Sequence, residues 1–164
     1  MKIKGLVDED FINYKKPSMY IAFPNCDFKC DREAGCSICQ NSGLANEPNI
    51  EIQPSTIISR YVQNHISKAI VLGGLEPFDS PIVLPYFIEI IREATSDDIV
   101  IYTGYTEEEL EYSFSTLKEA YNKIKKFPNI IIKFGRFIPN QEKHYDEVLG
   151  VELASPNQYA RRIS

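Results

Sequence analysis

Residues 20–41 organise the chain and read YIAFPNCDFKCDREAGCSICQN. This stretch contains the four cysteines of the chain, Cys26, Cys30, Cys36 and Cys39. The apolar run at residues 19–23, which ends at Pro24, predicts a strand that stops at the proline. The cysteines therefore follow the carboxyl end of a strand, where α/β sheets and barrels usually carry their chemistry.

Four clustered thiols have three ordinary explanations. Disulfides suit small secreted domains, but residues 1–10 are charged and lack the apolar segment of a signal peptide. A zinc cage usually joins two close cysteine pairs across a longer gap, and here both pairs lie in one short loop. Soft thiolates at close spacing are the usual ligands of iron–sulfur clusters. We therefore expect a cluster, with zinc as the less favoured alternative.

Composition excludes several classes of protein. A chain of 164 residues suits one domain, which we expect to cover residues 1–164. A hydrophobic content of 43% supplies a core, but no apolar run is long enough to cross a membrane. A net charge of -5 disfavours nucleic acid as a partner. Clustered free thiols without an export signal indicate a cytoplasmic protein.

Strand and helix patterns alternate along the chain. Strands are predicted at residues 19–23, 69–72, 99–103 and 130–133. Helices are predicted to begin near Pro54, with Ser55 as a cap, near Pro85, and after Thr106, with Glu109 completing a capping box. This alternation predicts an α/β fold with a mainly parallel sheet. Residues 1–18 are predicted to be an irregular lead-in, residues 41–53 a loop, and residues 139–164 a C-terminal tail with a candidate short strand at 151–153.

Three apolar stripes at helical spacing are expected to pack in the core. They consist of Ile57, Ile58, Tyr61 and Val62 in the first helix, Phe87, Ile88 and Ile91 in the second, and Leu110, Phe114, Leu117, Tyr121 and Ile124 in the third.

A second chemical stretch, Leu-Gly-Gly-Leu-Glu-Pro-Phe at residues 72–78, follows the second predicted strand. Gly73 and Gly74 allow a sharp turn and a close approach to a ligand, and Glu76 could hold an ammonium group. A plain strand-to-helix turn is the alternative for an isolated diglycine. Because consecutive parallel strands are usually neighbours, we expect this turn to lie beside the cysteine loop.

Without residues 31–36, the cysteine loop reads Cys-Asp-Phe-Lys-Cys-Ser-Ile-Cys. In this form it resembles the Cys-x3-Cys-x-(apolar)-Cys motif of radical S-adenosylmethionine (SAM) enzymes, with a six-residue insertion. The resemblance implies that Cys26, Cys30 and Cys39 bind three irons of a [4Fe–4S] cluster and that the fourth iron binds SAM. Ile38 is then the apolar residue before the last ligand, and Cys36 is the less favoured third ligand.

The stretch Gly73-Gly74-Leu75-Glu76-Pro77 is similar to the Gly-Gly-Glu-Pro motif of that superfamily, with Leu75 as an additional residue. In the superfamily this motif binds the amino group of the methionine part of SAM. The resemblance therefore implies that Gly73, Gly74, Glu76 and Pro77 contribute to SAM binding.

Later segments resemble the activating proteins of anaerobic ribonucleotide reductase. The similar segments are Thr-Gly-Tyr at residues 103–105, Lys-Phe-Gly-Arg-Phe at 133–137 and Ser-Pro-Asn-Gln at 155–158. They imply a short, open, partial (β/α) barrel and add Thr103 and Asn157 to the expected cofactor-binding residues. Two positions depart from the family pattern: Gln40 replaces an aromatic residue, and Lys133-Phe134 stands where an Asp is usual.

The resemblance also implies the reaction and its partners. A reduced cluster passes one electron to SAM, and the resulting 5′-deoxyadenosyl radical takes a hydrogen from a glycine of the large reductase subunit. The electron comes from a low-potential donor such as flavodoxin or ferredoxin. No acid–base residue is needed, so His65, expected to be exposed, and His144, expected in a charged loop, receive no role. The alternatives are an activase of another glycyl-radical enzyme, a small-molecule radical SAM enzyme and a non-catalytic zinc module.

Overall fold

A computed structural model describes residues 1–113 and 115–164. The fold is mixed α/β. The strands are β1 (Lys2–Ile3), β2 (Gly5–Asp10), β3 (Ser18–Phe23), β4 (Ile50–Glu51), β5 (Ala69–Gly74), β6 (Asp98–Tyr102), β7 (Ile130–Phe134), β8 (His144–Asp146), β9 (Val151–Leu153) and β10 (Tyr159–Arg162). The α-helices are α1 (Lys29–Ala34), α2 (Ser42–Asn46), α3 (Pro54–Gln63), α4 (Val83–Ala94), α5 (Glu107–Tyr112) and α6 (Thr116–Ile124), and a 3₁₀ turn covers Pro77–Asp79.

The central sheet has six strands in the order β10-β7-β6-β5-β3-β2. The four inner strands, β3, β5, β6 and β7, are parallel, and they lie side by side in the order in which they occur along the chain. At the two edges, β2 and β10 pair antiparallel with β3 and β7. This topology confirms the predicted α/β fold with a mainly parallel sheet, and it is compatible with a partial (β/α) fold.

Parallel pairing brings the ends of β3 and β5 together. Ala22 pairs with Gly73, and Phe23 pairs with Gly74. Because parallel strands end at one edge of the sheet, the segments that follow β3 and β5 are forced to be neighbours. The predicted adjacency of the cysteine loop and the diglycine turn is therefore confirmed.

The two faces of the sheet have separate cores, because side chains alternate along each strand. In β5, Ile70 and Leu72 pack with residues of α3, α4 and α6. The other side chains of β5, Ala69 and Val71, pack with Tyr14 and with residues around β9. This second face is therefore covered by chain segments outside the repeating strand–helix units.

The irregular lead-in predicted for residues 1–18 is wrong, because β1 and β2 lie there. The charged strand β2 pairs with β3, with Gly5 opposite Ala22. As an edge strand it leaves several side chains in water, so its sequence lacks the apolar run of a buried strand. The loop predicted at residues 41–53 likewise contains α2 and β4.

The C-terminal tail contains more structure than the sequence indicated. The predicted strand at 151–153 is confirmed as β9, and it pairs with β8. His144 therefore begins a strand and does not lie in a loop. The additional strand β10 extends the central sheet by pairing with β7.

Helix patterns were confirmed in part. Pro54 begins α3, but Gln53 holds the cap position and Ser55 makes no cap, because the proline already occupies the first helical position. In α3, Ile57 and Tyr61 are buried and Ile58 is half-buried, whereas Val62 is 58% exposed.

The second stripe, in α4, is buried at Phe87, Ile88 and Ile91.

The third helical region is two helices, α5 and α6. Thr106 and Glu109 form the predicted capping box of α5, and Ser115 caps α6. From this stripe Leu110, Tyr121 and Ile124 are buried and Leu117 is half-buried, and Phe114 lies outside the described residues.

In the described part of the chain, no helix has the length and apolar character needed to cross a membrane.

Candidate metal centre

Three of the four cysteines share one cavity. Cys26, Cys30 and Cys39 line a space of about 310 Å³ at the carboxyl ends of the parallel strands. Cys36 is exposed and does not line this space. All four are free thiols. The structure thus groups the three cysteines that the motif alignment favoured.

The inserted residues 31–36 bring Cys39 back beside Cys30. Cys30 lies in α1, which ends at Gly35 with a φ of 68°. The Asp31 carboxylate Oδ1 then accepts hydrogen bonds of 2.9 Å from the backbone N–H groups of Ile38 and Cys39. Asp31 therefore closes the insertion, because it ties its two ends together. Ile38 is half-buried and does not line the cavity.

The diglycine turn is packed too closely to carry side chains. Gly74 has a φ of 90°, and a Cβ atom there would lie 2.7 Å from Cα of Ala22. At Gly73 a Cβ atom would lie 2.9 Å from the hydroxyl oxygen of Tyr20. The carbonyl oxygen of Gly74 accepts a 2.6 Å hydrogen bond from Nδ2 of Asn41. The turn is thus linked directly to the end of the cysteine loop.

Glu76 is buried in the cavity wall and accepts three hydrogen bonds there. Its Oε1 accepts hydrogen bonds from the Thr103 hydroxyl, at 2.8 Å, and from the Phe78 N–H, at 3.0 Å, while Oε2 accepts one from the Gly104 N–H at 2.8 Å. Burial raises the pKa of Glu76 to about 7, although these hydrogen bonds oppose the rise. Glu76 and Thr103 both line the cavity, so the carboxylate joins the turns that follow β5 and β6.

Four of the expected cofactor-binding residues do not line the cavity: Gly73, Pro77, Ile38 and Asn157. Pro77 is buried at the start of the 3₁₀ turn. Asn157 is exposed, and its Nδ2 donates a 2.9 Å hydrogen bond to the carbonyl oxygen of Arg136. Its neighbour Gln158 is buried and lines the cavity in its place.

Other lining residues were not predicted to contribute to the site: Tyr20, Asn41, Lys133 and Gln158. Tyr20 and Lys133 could have been found from the alternation of side chains along β3 and β7, which places each on the face opposite the helices. Asn41 and Gln158 carry no such signal, because loop geometry directs their side chains.

Burial favours the protonated form of the Cys26 and Cys30 thiols. Burial raises the pKa of Cys26 to about 12, although the Phe28 N–H donates a 3.2 Å hydrogen bond to its sulfur. Burial also raises the pKa of Cys30, and the nearby charge of Arg136 opposes that rise. Metal ligation therefore has to displace protons from both thiols.

An ion-pair network fastens α1 over the cavity. Arg136 donates two hydrogen bonds to the carboxylate of Glu109, at 2.7 and 2.9 Å, and lies 3.0 Å from Glu33 of α1. Lys29 of α1 also pairs with Glu109. The helix that contains Cys30 is thus anchored to α5 and to the segment after β7.

Cys26 borders a second, open groove of about 600 Å³ outside the cavity. Apolar side chains of Phe28, Leu75, Phe78 and Leu117 line much of it. Cys26 therefore lies between the cavity and an open, partly apolar groove.

The three sulfurs are spaced more widely than a single zinc ion requires. Four thiolates around one zinc lie only ~3.8 Å apart, since each Zn–S bond is ~2.3 Å. The sulfurs of Cys26, Cys30 and Cys39 are not all within 4.8 Å of one another; across residues 1–113 and 115–164, the group at that spacing is Cys26 with Asp27 and Asp79. A cluster accommodates the wider spacing because each thiolate binds a different iron. The three cysteines therefore fit a [4Fe–4S] cluster.

Comparison with known proteins agrees with this geometry. The family model described as "4Fe-4S single cluster domain" matches residues 18–155. No curated protein and no solved structure gives a significant match. The family match spans the cysteine loop, the diglycine turn and the four parallel strands. The chain therefore belongs to the 4Fe-4S single cluster domain family and is an iron–sulfur protein.

Proposed function

We propose that this protein is a radical SAM activase that generates a glycyl radical on anaerobic ribonucleotide reductase. One observation carries the proposal: three cysteines and Gly74 of the diglycine turn line the same cavity. A site with three sulfur ligands leaves one iron of a [4Fe–4S] cluster free for a substrate. With a cluster held by these cysteines, the backbone at Gly74 would be available in the same cavity to bind a polar substrate group.

When bound and reduced, the cluster supplies one electron that splits SAM into methionine and a 5′-deoxyadenosyl radical, which then takes a hydrogen atom from a glycine Cα of the partner. The chain itself binds and orients. Cys26, Cys30 and Cys39 would hold the irons, and Gly74 brings the backbone of the turn to the cavity wall, where it would bind the amino-acid part of SAM. Glu76 fixes the position of the turn that contains Thr103 and Gly104.

Glu76 does not offer free oxygens to bind the amino group of SAM directly, as the resemblance implies. Its carboxylate oxygens already accept three hydrogen bonds from the protein. In the proposed complex the amino group of SAM therefore binds mainly to backbone carbonyl groups at the diglycine turn, and Glu76 contributes negative charge beside it.

The partners follow from the same reaction. The large reductase subunit contributes the glycine, and a low-potential donor such as flavodoxin or ferredoxin supplies the electron. The open groove beside Cys26 offers a surface where such a protein can approach the cluster. We place the reaction in the cytoplasm, because four free thiols and a reduced cluster require reducing conditions.

The test is anaerobic reconstitution with iron and sulfide, reduction, and addition of SAM. We expect 5′-deoxyadenosine and methionine in equal amounts by mass spectrometry. Cys26→Ala, Cys30→Ala and Cys39→Ala should abolish both products, and Cys36→Ala is the matched control that should keep them. A wild-type protein with a complete cluster that leaves SAM intact would refute the proposal. Loss of products with Cys36→Ala and not with Cys39→Ala would reverse the assignment of the third ligand.

The identity of the partner needs a separate experiment. Incubation of the activated protein with the anaerobic reductase should give the doublet of a glycyl radical by electron paramagnetic resonance. A second glycyl-radical enzyme, such as a formate-lyase-type protein, is the control. If only the control protein acquires the radical, the activase assignment holds and the reductase assignment is wrong.

A further inference from the structure

Lys133 places a buried positive charge in the wall of the cavity. The residue is 6% exposed and lies in β7, two positions after Ile131, so its side chain is on the face opposite the helices. It lines the same space as Cys26, Cys30 and Gly74.

The ammonium group is only partly satisfied by the protein. Its Nζ donates a 2.7 Å hydrogen bond to the carbonyl oxygen of Gly135, which also accepts a 3.3 Å bond from Nε2 of Gln158. An ammonium offers three donors. Among the described residues, no carboxylate forms an ion pair with Lys133. Glu76 and Cys30 are near enough to favour the charged form of Lys133, and the donors that the ammonium leaves unused face a cavity where an anionic ligand from outside the chain can accept them.

Glu76 does not supply that partner. Its charge is near enough to favour the protonated form of Lys133, but its oxygens accept hydrogen bonds from Phe78, Thr103 and Gly104. Burial lowers the pKa of Lys133 to about 8, which still leaves the amino group mostly protonated at neutral pH. The cavity thus has a cation at one point of its wall.

The position of that cation relative to the diglycine turn indicates the ligand. Lys133 pairs with Tyr102 of β6, and β6 lies between β7 and β5, which contains Gly73 and Gly74. Two strand spacings, about 10 Å, therefore separate the backbones of Lys133 and the turn. Lys133 and Gly74 line one cavity across this gap, so an α-amino acid head between them can place its amino group at the turn and its carboxylate at the lysine.

We propose that Lys133 binds the α-carboxylate of SAM in this cavity. The inference rests on the proposed function, because it names a contact of the same SAM molecule. It also assigns a purpose to the charge at this position: Lys133 selects ligands that carry a carboxylate beside their amino group.

Binding measurements on the reconstituted, oxidised protein test this assignment without turnover. The two probes are SAM and decarboxylated SAM, which keeps the amino group and the sulfonium and lacks the carboxylate. We expect wild-type protein to bind SAM at least tenfold more tightly than the decarboxylated compound in anaerobic calorimetry. Lys133→Met should weaken SAM binding tenfold or more and change binding of the decarboxylated compound less than twofold.

Controls separate this role from structural and cluster effects. Lys143→Met removes an exposed lysine and should leave both affinities unchanged. Iron content and circular dichroism of Lys133→Met should match those of the wild type. If Lys133→Met weakens both compounds equally, the lysine acts through the cluster or the fold and the proposal is overturned.

If Lys133→Met fails to fold, the affinities of the wild-type protein for SAM and for decarboxylated SAM still test the carboxylate contact. Equal wild-type affinity for the two compounds refutes the carboxylate contact while the SAM function stands. Wild-type protein that binds neither compound refutes the proposed function, and the carboxylate assignment fails with it.

Discussion

Asp31 accepts a 2.9 Å hydrogen bond from the backbone N–H of Cys39, eight residues further along the chain. The same carboxylate oxygen accepts an equal bond from Ile38. These contacts explain how a cysteine motif that is interrupted by six residues still forms one ligand set. The insertion forms the end of α1 and a turn, and Asp31 holds residues 38–39 against the helix that contains Cys30.

Asp31→Ala should loosen the third cysteine ligand. Hydrogen bonds to a charged acceptor contribute about 1.5–3 kcal/mol each. Because Asp31 is half-buried, we expect its removal to destabilise the folded conformation of the loop by about 2 kcal/mol. Iron should leave the reconstituted protein about tenfold faster in the presence of a chelator, followed by the loss of visible cluster absorbance. Asp31→Asn keeps one acceptor oxygen and should give an intermediate rate.

Ser37→Ala is the matched control for Asp31, since Ser37 is an exposed residue of the same loop. Its rate of iron release should equal that of the wild type. If Asp31→Ala released iron no faster than Ser37→Ala, the carboxylate would not be what positions Cys39.

Gly74→Ala should be strongly destabilising. The backbone φ of 90° is unfavourable for any residue with a Cβ atom, and this atom would lie 2.7 Å from Cα of Ala22. We expect a loss of about 3 kcal/mol in the free energy of unfolding, measured by denaturant titration of the metal-free protein. Gly43→Ala in α2 is the control, because a Cβ atom there meets nothing within 4 Å. Similar stabilities for the two variants would contradict the close packing of the diglycine turn.

Glu76→Gln should disrupt the turn after β6. A glutamine has one acceptor oxygen, and its amide nitrogen would face a donor, either the Gly104 N–H or the groups that bind Oε1. A buried donor without an acceptor costs about 1–3 kcal/mol, so the free energy of unfolding should fall by that amount. Faster hydrogen exchange at the amide of Gly104 would localise the change. Unchanged exchange at this amide would show that the glutamate does not hold the turn.

Asp98→Asn should remove stability that depends on pH. Burial opposes ionisation of Asp98, but hydrogen bonds from Lys16, Arg162 and Tyr14 outweigh it and lower its pKa to about 2. Because the folded-state pKa lies below that of the unfolded chain, the ionised carboxylate stabilises the fold above about pH 4, and this contribution is lost as the pH falls towards 2. The variant should therefore lose about 2 kcal/mol at pH 7.

The pH dependence itself is the decisive measurement for Asp98. The difference in unfolding free energy between wild type and Asp98→Asn should shrink between pH 4 and pH 2. A difference that stays constant over this range would mean that the carboxylate acts through packing and not through its charge.

Local pattern was enough to locate the buried strands and to select the three cysteines that share the cavity. The apolar runs of β3, β5, β6 and β7 have no polar face, so they could be recognised without knowing their neighbours. The edge strand β2 could not, because its half-exposed, charged sequence becomes a strand only through pairing with β3. The division of the third helical region into α5 and α6 was likewise missed, since the apolar spacing continues across the break.

The sequence by itself determined the order of the four parallel strands, the clustering of the cysteines and the glycines at the end of β5, because these depend on residue type and spacing along the chain. Only the tertiary structure decided which polar groups meet in the cavity. Lys133, Gln158 and Asn41 are far apart in sequence, and their side chains converge because parallel strands end at one edge and loops fold back over it. Two of the three hydrogen bonds to Glu76 arise for the same reason: Thr103 and Gly104 follow the neighbouring strand β6, which only the register of the sheet brings within hydrogen-bonding distance.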